Sequence, residues 1–271
     1  MKRLTGALCA VSLTFALAAC GGGANDTAAE ASAATGIAGT WVAQLDSASF
    51  ENDTSTYVFA DGQYTCETCL PPYSVATSGE WETIDRPGAD GAKIAVVDNT
   101  TVSLAYRMGE KELSNSTWTV SEDGQSMTIM TTSTSGDEPV DSSVTLKRTA
   151  DGPEGSHAAS GSWSFSEFGE MDEAARTFTY TLEGDTITQS SNGGGYTATL
   201  GGEAVAMENS SAGAMIKVEK LSDNVYRETM SVNDEVVNVV ELTIDGDTLS
   251  GKGMDPRDES SVSWQAKRKT D

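Results

Sequence analysis

Four cysteines and a single histidine are the residues of this 271-residue chain best suited to redox, metal or nucleophilic chemistry. Cys66 and Cys69 stand in the stretch YTCETCLPPY with C-x-x-C spacing. That spacing fits a dithiol redox catalyst, half of a zinc site, a haem attachment point or a plain disulfide. Zinc needs four ligands, or three and a water, and the one histidine, His157, lies in a distant Gly/Pro/Ser-rich segment. Covalent haem attachment needs C-x-x-C-H, and residue 70 is Leu. A thioredoxin-like catalyst places its first cysteine at a helix N-terminus, where the dipole lowers the thiol pKa. Here Pro71 and Pro72 follow almost at once and favour extended chain. In an oxidising compartment the expectation is a local disulfide, Cys66–Cys69, pinning a bend between strands, with a redox role as the alternative.

Other catalytic arrangements are not expected. With one histidine a Ser-His-Asp constellation is improbable, and neither G-x-S-x-G nor H-E-x-x-H occurs. Gly193-Gly194-Gly195 is followed by no Lys-Ser/Thr and reads as a hairpin loop rather than a phosphate cradle. The chain is therefore read as a non-enzyme with no catalytic residues, no metal and no cofactor. Its 41 Asp and Glu against 17 Lys and Arg give a formal charge of −24, which repels nucleic acid and anionic lipid. The carboxylates are scattered, without a calcium-loop run.

The chain begins MKRLTGALCAVSLTFALAAC. Lys2 and Arg3 precede an apolar run that ends in small residues, the pattern of a secretory signal over residues 1–19. Leu17-Ala18-Ala19-Cys20 resembles the lipobox of bacterial lipoproteins. The resemblance implies cleavage before Cys20 and diacylglycerol on its thiol, hence a membrane partner through the lipid anchor. Several acyl chains suffice for stable anchoring. Gly21 rather than Asp after the cysteine implies the outer membrane. Losing Lys2 and Arg3 takes the charge from −24 to −26. Residues 20–38 are small and polar and read as a flexible tether.

The rest of the chain repeats itself. Gly39-Thr40-Trp41 recurs as Gly161-Ser162-Trp163, and W-T-V-S-E-D-G at 118–124 aligns with V-E-L-T-I-D-G at 240–246, both at an offset of 122. Two units follow, residues 39–149 and 161–271, joined by a linker over 150–160 that is expected to be open to proteases between Asp151 and Ser160. Both units alternate apolar and polar residues with period 2 and are rich in Thr, Val, Tyr and Trp. Turn signals stand at Asp61-Gly62, Asp90-Gly91, Asp123-Gly124, Asn192-Gly193, Gly201-Gly202 and Asp245-Gly246. Only residues 169–176, GEMDEAAR, read as a brief helix. The fold class is all-β, with roughly eight or nine strands per unit, as two barrels or, alternatively, two β-sandwiches.

One pattern favours barrels. In each unit the first strand puts a Gly and a Trp on one face, Gly39 and Trp41 or Gly161 and Trp163, and the last strand ends with an Arg, Arg148 or Arg268. An inward Arg needs a partner, and an indole face supplies one. This G-x-W start with a closing basic residue resembles the lipocalin-like (calycin) superfamily. The resemblance implies tandem antiparallel up-and-down barrels in which the Trp packs on the closing Arg and plugs one end. The chain also resembles envelope-stress (copper-resistance) outer-membrane lipoproteins, which combine a lipobox, such a barrel and a C-x-x-C. It resembles, too, secreted bacterial proteins with C-x-x-C-x-P-P and a G-S-H…S-G-S-W linker, which implies only the two-unit layout. The functional expectation is an outer-membrane lipoprotein binding a small apolar or amphiphilic ligand. The alternatives are a structural or protein-interaction lipoprotein and a redox-linked envelope sensor.

Overall fold

The structure, a computed structural model, describes residues 36–192, 194–208 and 213–270. The signal peptide, the Cys20 anchor and most of the tether lie outside the described residues.

Among the described residues twenty strands follow one another. The first ten are β1 (Gly39–Glu51), β2 (Ser55–Ala60), β3 (Gln63–Cys66), β4 (Tyr73–Ala76), β5 (Ser78–Arg86), β6 (Ala89–Val96), β7 (Thr101–Met108), β8 (Lys111–Val120), β9 (Ser126–Ser133) and β10 (Val140–Asp151). The second ten are β11 (Gly161–Met171), β12 (Thr177–Glu183), β13 (Thr186–Ser191), β14 (Gly194–Thr199), β15 (Val205–Ala206), β16 (Ala214–Ser222), β17 (Val225–Val232), β18 (Glu235–Asp245), β19 (Thr248–Met254) and β20 (Ser261–Arg268). They form two ten-stranded antiparallel sheets, each curled into a nearly closed up-and-down barrel. The period-2 alternation is what permits this, since one face of every strand can be buried inside a closed sheet. Two-residue turns set the hairpins. Asp61-Gly62 between β2 and β3 has φ of 53° and 74°, and Asn233-Asp234 between β17 and β18 has 51° and 66°, the positive values that tight hairpins demand.

The strand order corrects the domain boundaries. The first sheet runs β4-β3-β2-β11-β10-β9-β8-β7-β6-β5, and the second runs β14-β13-β12-β1-β20-β19-β18-β17-β16-β15. The first barrel is thus the continuous stretch 55–171. The second comprises 177–268 closed by the far N-terminal strand 39–51. Each barrel is completed by the G-x-W strand of the other repeat. The three residues Asn52-Asp53-Thr54 are long enough for a hairpin, yet they carry the chain from one barrel to the other. Asp53 fixes that crossing. Its carboxylate accepts from the Phe165 backbone N–H at 2.5 Å, beside the bulge where β10 and β11 change register.

Three local expectations also change. Asp90-Gly91 is no turn but part of β6, and Gly91 leaves space for the Arg107 side chain, which a β-carbon there would strike. Residues 169–171 of the expected helix continue β11 against β10, which leaves a single 3₁₀ turn at Glu173–Arg176. The linker 152–160 is not a free spacer. Ala159 and Ser160 are 0% and 2% exposed, and Ser160 Oγ holds the Phe59 backbone N–H at 2.9 Å.

The barrels meet where the exchanged strands meet. Phe50 of β1 packs on Phe165 and Phe168 of β11, with ring centroids 4.3 and 6.3 Å apart. Leu70, in the loop after the disulfide, packs against Ala214, Val232 and Val237 of the second barrel.

Candidate functional site

The most ordered chemistry in the chain is a plug built twice. Arg148 lies 4.1 Å over the Trp163 ring, and Arg268 lies 4.1 Å over the Trp41 ring. Both indoles are 0% exposed. Trp163 Nε1–H donates to Ala159 O at 3.1 Å, and Trp41 Nε1–H to Ile37 O at 2.8 Å. The guanidinium of Arg148 donates to Ser160 O and Ala158 O, both at 2.6 Å. That of Arg268 donates to Ala38 O and, at 2.9 Å, to Gly36 O. Residues 36–38 therefore do for one barrel what 158–160 do for the other. The glycine of G-x-W is required by this geometry. Gly39 and Gly161 have φ of 136° and 132°, and a β-carbon at either would collide with the arginine crossing above it. The Trp–Arg stack is where the sequence placed it, but its partners are crossed: Trp41 goes with Arg268 and Trp163 with Arg148.

The interiors hold a second duplicated feature that sequence reasoning missed. In the strand register Gly161 faces Tyr57, Tyr57 faces Cys66 and Cys66 faces Tyr73. In the other barrel Gly39 faces Tyr180, Tyr180 faces Gln189 and Gln189 faces Tyr196. Each barrel thus carries the same tyrosine pair, and the ionisable group beside it differs.

In the first barrel it is Arg86, 5.5 Å from the Tyr73 ring centroid and 5.2 Å from that of Tyr106. The Tyr73 and Tyr106 hydroxyls bond each other at 2.7 Å. Burial opposes the charge on Arg86, but the oxygens of Tyr106, Tyr73 and Tyr64 outweigh it and raise its pKa, so it stays a cation. Burial also raises the phenols of Tyr57, Tyr64 and Tyr106.

In the second barrel the centre is Glu228. It accepts from Tyr180 Oη at 2.7 Å and from Tyr196 Oη. Burial raises the Glu228 carboxyl, and the two tyrosine hydrogen bonds act in the opposite direction. The recurrence of tyrosine at 57 and 180, and at 73 and 196, at an offset of 123, was the available signal. Arg86 and Glu228 had none, because neither recurs.

Cys66 and Cys69 are joined as a disulfide, with Cα atoms 5.4 Å apart. Cys66 is 1% exposed and sits in the first barrel's core. Thr68, inside the loop, accepts from the Thr56 backbone N–H at 2.9 Å. The bridge thus fastens a short loop to β2. Among the described residues no group of three or more His, Cys, Asp or Glu side chains is placed to hold a metal ion.

Two features lie on the outside of the first barrel. A recess of about 250 Å³ opens at the plugged end of the first barrel, lined by Asp123, Gln125, Arg148, Asp151, Ser156 and His157 among others. On the outer wall of that barrel Trp81 carries Arg107 at 4.8 Å and Lys93 at 6.0 Å from its ring centroid. Comparison with protein-family models, with curated proteins and with solved structures found no match.

Proposed function

We propose that this chain is a non-enzymatic envelope lipoprotein whose two barrels act through their outer surfaces on a macromolecular partner. The observation that carries this reading is that the interiors are occupied by the chain's own rings. In the first barrel Tyr57 packs on Trp118 at 4.8 Å between centroids, Phe59 on Tyr64 at 4.7 Å and Tyr64 on Tyr73 at 5.8 Å. In the second, Phe178 packs on Trp264 at 5.6 Å and on Tyr180 at 5.9 Å. Ligand-carrying pockets span about 300–1,000 Å³; the recess of about 250 Å³ is smaller and lies at the plugged end. The lipobox-like Leu17-Ala18-Ala19-Cys20 supports the anchor, and the disulfide supports an oxidising compartment. Cys20→Ala is expected to release the protein from the membrane fraction, and retention of the variant would contradict the anchor.

A second reading is a binding module for a small amphiphile. It is favoured by the interior polar groups, Arg86 among tyrosines in one barrel and Glu228 between Tyr180 and Tyr196 in the other, because apolar pockets orient ligands with a few such groups. Titration of intrinsic Trp fluorescence with neutral, cationic and anionic amphiphiles of equal chain length separates the two readings. Self-filled barrels give no saturable change. A saturable response to any of the three would move the assignment to ligand binding.

A further inference from the structure

We propose that the slot filled by β1 in the second barrel also accepts β1 of a second copy of this chain, giving a strand-exchanged dimer. This goes beyond the envelope reading and stands without the lipid anchor. Within one chain the exchange has already occurred, since each barrel is closed by a strand that belongs by sequence to the other repeat. The acceptor thus recognises a strand covalently continuous with another barrel.

The anchors at the closed end of the slot are carried by one short stretch. Gly36 and Ala38 offer carbonyls to Arg268, Ile37 is 0% exposed, and Trp41 lies under the guanidinium. The hold along β1 is interrupted. Pairing with β12 covers only Gly39–Val42, and the register with β20 breaks between Gln44 and Ser49. Antiparallel ladders gain their stability pair by pair, so each break in the β1 ladders lowers the cost of withdrawing the strand.

The far end of β1 is fastened to the first barrel through Phe50 on Phe165 and Phe168. In an exchange, residues 39–171 would therefore move as one body and insert β1 into the 177–268 barrel of the partner copy. The segment that must extend is 172–176. Five extended residues reach about 17 Å. The contacts between the two bodies are then remade between copies, including the Trp41–Arg268 stack and Leu70 against Ala214, Val232 and Val237, while the 3₁₀ turn of 173–176 opens. No new contact is needed, so concentration and the conformational freedom of the 172–176 segment set the balance.

The test uses two single variants in a Cys9→Ser/Cys20→Ser background, Ala43→Cys and Ala266→Cys, at positions directly opposite each other in the β1–β20 register. Opposed strand residues lie within the reach of a disulfide. The two variants are folded separately, mixed at high concentration near the unfolding midpoint, cooled and oxidised. The expected product is a covalent heterodimer, roughly tenfold more abundant than the homodimers formed by either variant alone, because exchange creates the high effective concentration of a linked pair. A heterodimer no more abundant than the homodimers would overturn the proposal. A second readout needs no substitution. The unaltered chain, treated in the same way, is expected to show a dimer by light scattering that persists on dilution, and a chain that stays monomeric contradicts the exchange.

Discussion

In the first barrel Arg148 covers Trp163 and draws in the carbonyls of residues 158 and 160; in the second Arg268 covers Trp41 and draws in those of residues 36 and 38. The stack distance is 4.1 Å in both. Inside, the likeness stops. Beside the shared tyrosines stands a cation in one barrel, Arg86 against Tyr73 and Tyr106, and in the other a carboxyl, Glu228, which accepts from Tyr180 and Tyr196. The closed end satisfies a requirement that any such barrel has, namely buried carbonyls, a buried indole N–H and a strand start that needs partners. It therefore stays the same in both repeats. The interior accepts either kind of ionisable group beside its tyrosines, and there the two repeats differ.

The largest effect should come from removing an indole at the plug. Trp41→Ala and Trp163→Ala are each expected to cost about 3–5 kcal/mol, as for other large-to-small core changes. The crossing fixes where the damage shows. Trp41→Ala should lower amide-exchange protection across residues 177–268, and Trp163→Ala should do so across residues 55–151. The opposite assignment would break the comparison. Next come the arginines. Arg148→Met and Arg268→Met each remove a stack worth about 0.5–2 kcal/mol and take the donor from part-buried carbonyls, those of Gly124, Ala158 and Ser160 in the first barrel and of Gly36 and Ala38 in the second. Equal losses of unfolding free energy in the two variants would support equivalent plugs.

The interiors should respond differently to pH. Because burial raises the Glu228 carboxyl, the folded chain holds this proton more tightly than the unfolded one. Its contribution to stability is fully present below the unfolded pKa, about 4.3, and is lost as pH rises through the raised folded value. Glu228→Gln should thus flatten the fall in melting temperature between acid and neutral pH. Asp53, also raised by burial, acts with the same sign and remains in the variant. Arg86→Met should leave that pH profile unchanged. The smallest effect belongs to the disulfide. Closing a loop of four residues contributes about 2 kcal/mol at most, so Cys66→Ser/Cys69→Ser should lower the melting temperature by only a few degrees.

Much of this was legible in the sequence. Period-2 alternation and the Asp61-Gly62 and Asp245-Gly246 signals marked strands and hairpins, and the recurring G-x-W with a terminal Arg marked the plug. Which strand closes which barrel was not legible. Both repeats carry the same G-x-W strand and the same acceptor Arg, so the pattern is symmetric under exchange, and a contact at the crossing such as Asp53 to Phe165 joins residues 112 apart. Nor was the plug role of residues 36–38 and 152–160 legible. Their Gly, Ala and Ser composition reads as tether and linker, yet their function lies in backbone carbonyls that composition does not report. Ala159 and Ser160 are buried while Pro153, Glu154 and Gly155 are exposed, so protease nicking is expected to be confined to the tip at 153–155.

The crossed closure can be read directly by comparing two engineered cysteine pairs in the Cys9→Ser/Cys20→Ser background. Ala43 faces Ala266 of β20, and in the other barrel Phe165 faces Leu146 of β10. If each barrel were closed by its own repeat, position 43 would face Leu146 instead. Ala43→Cys/Ala266→Cys should oxidise to an intramolecular disulfide, seen as a faster-migrating monomer on a non-reducing gel at low protein concentration, while Ala43→Cys/Leu146→Cys should keep two free thiols. Bond formation in the second pair and not in the first would contradict the exchange of closing strands between the repeats.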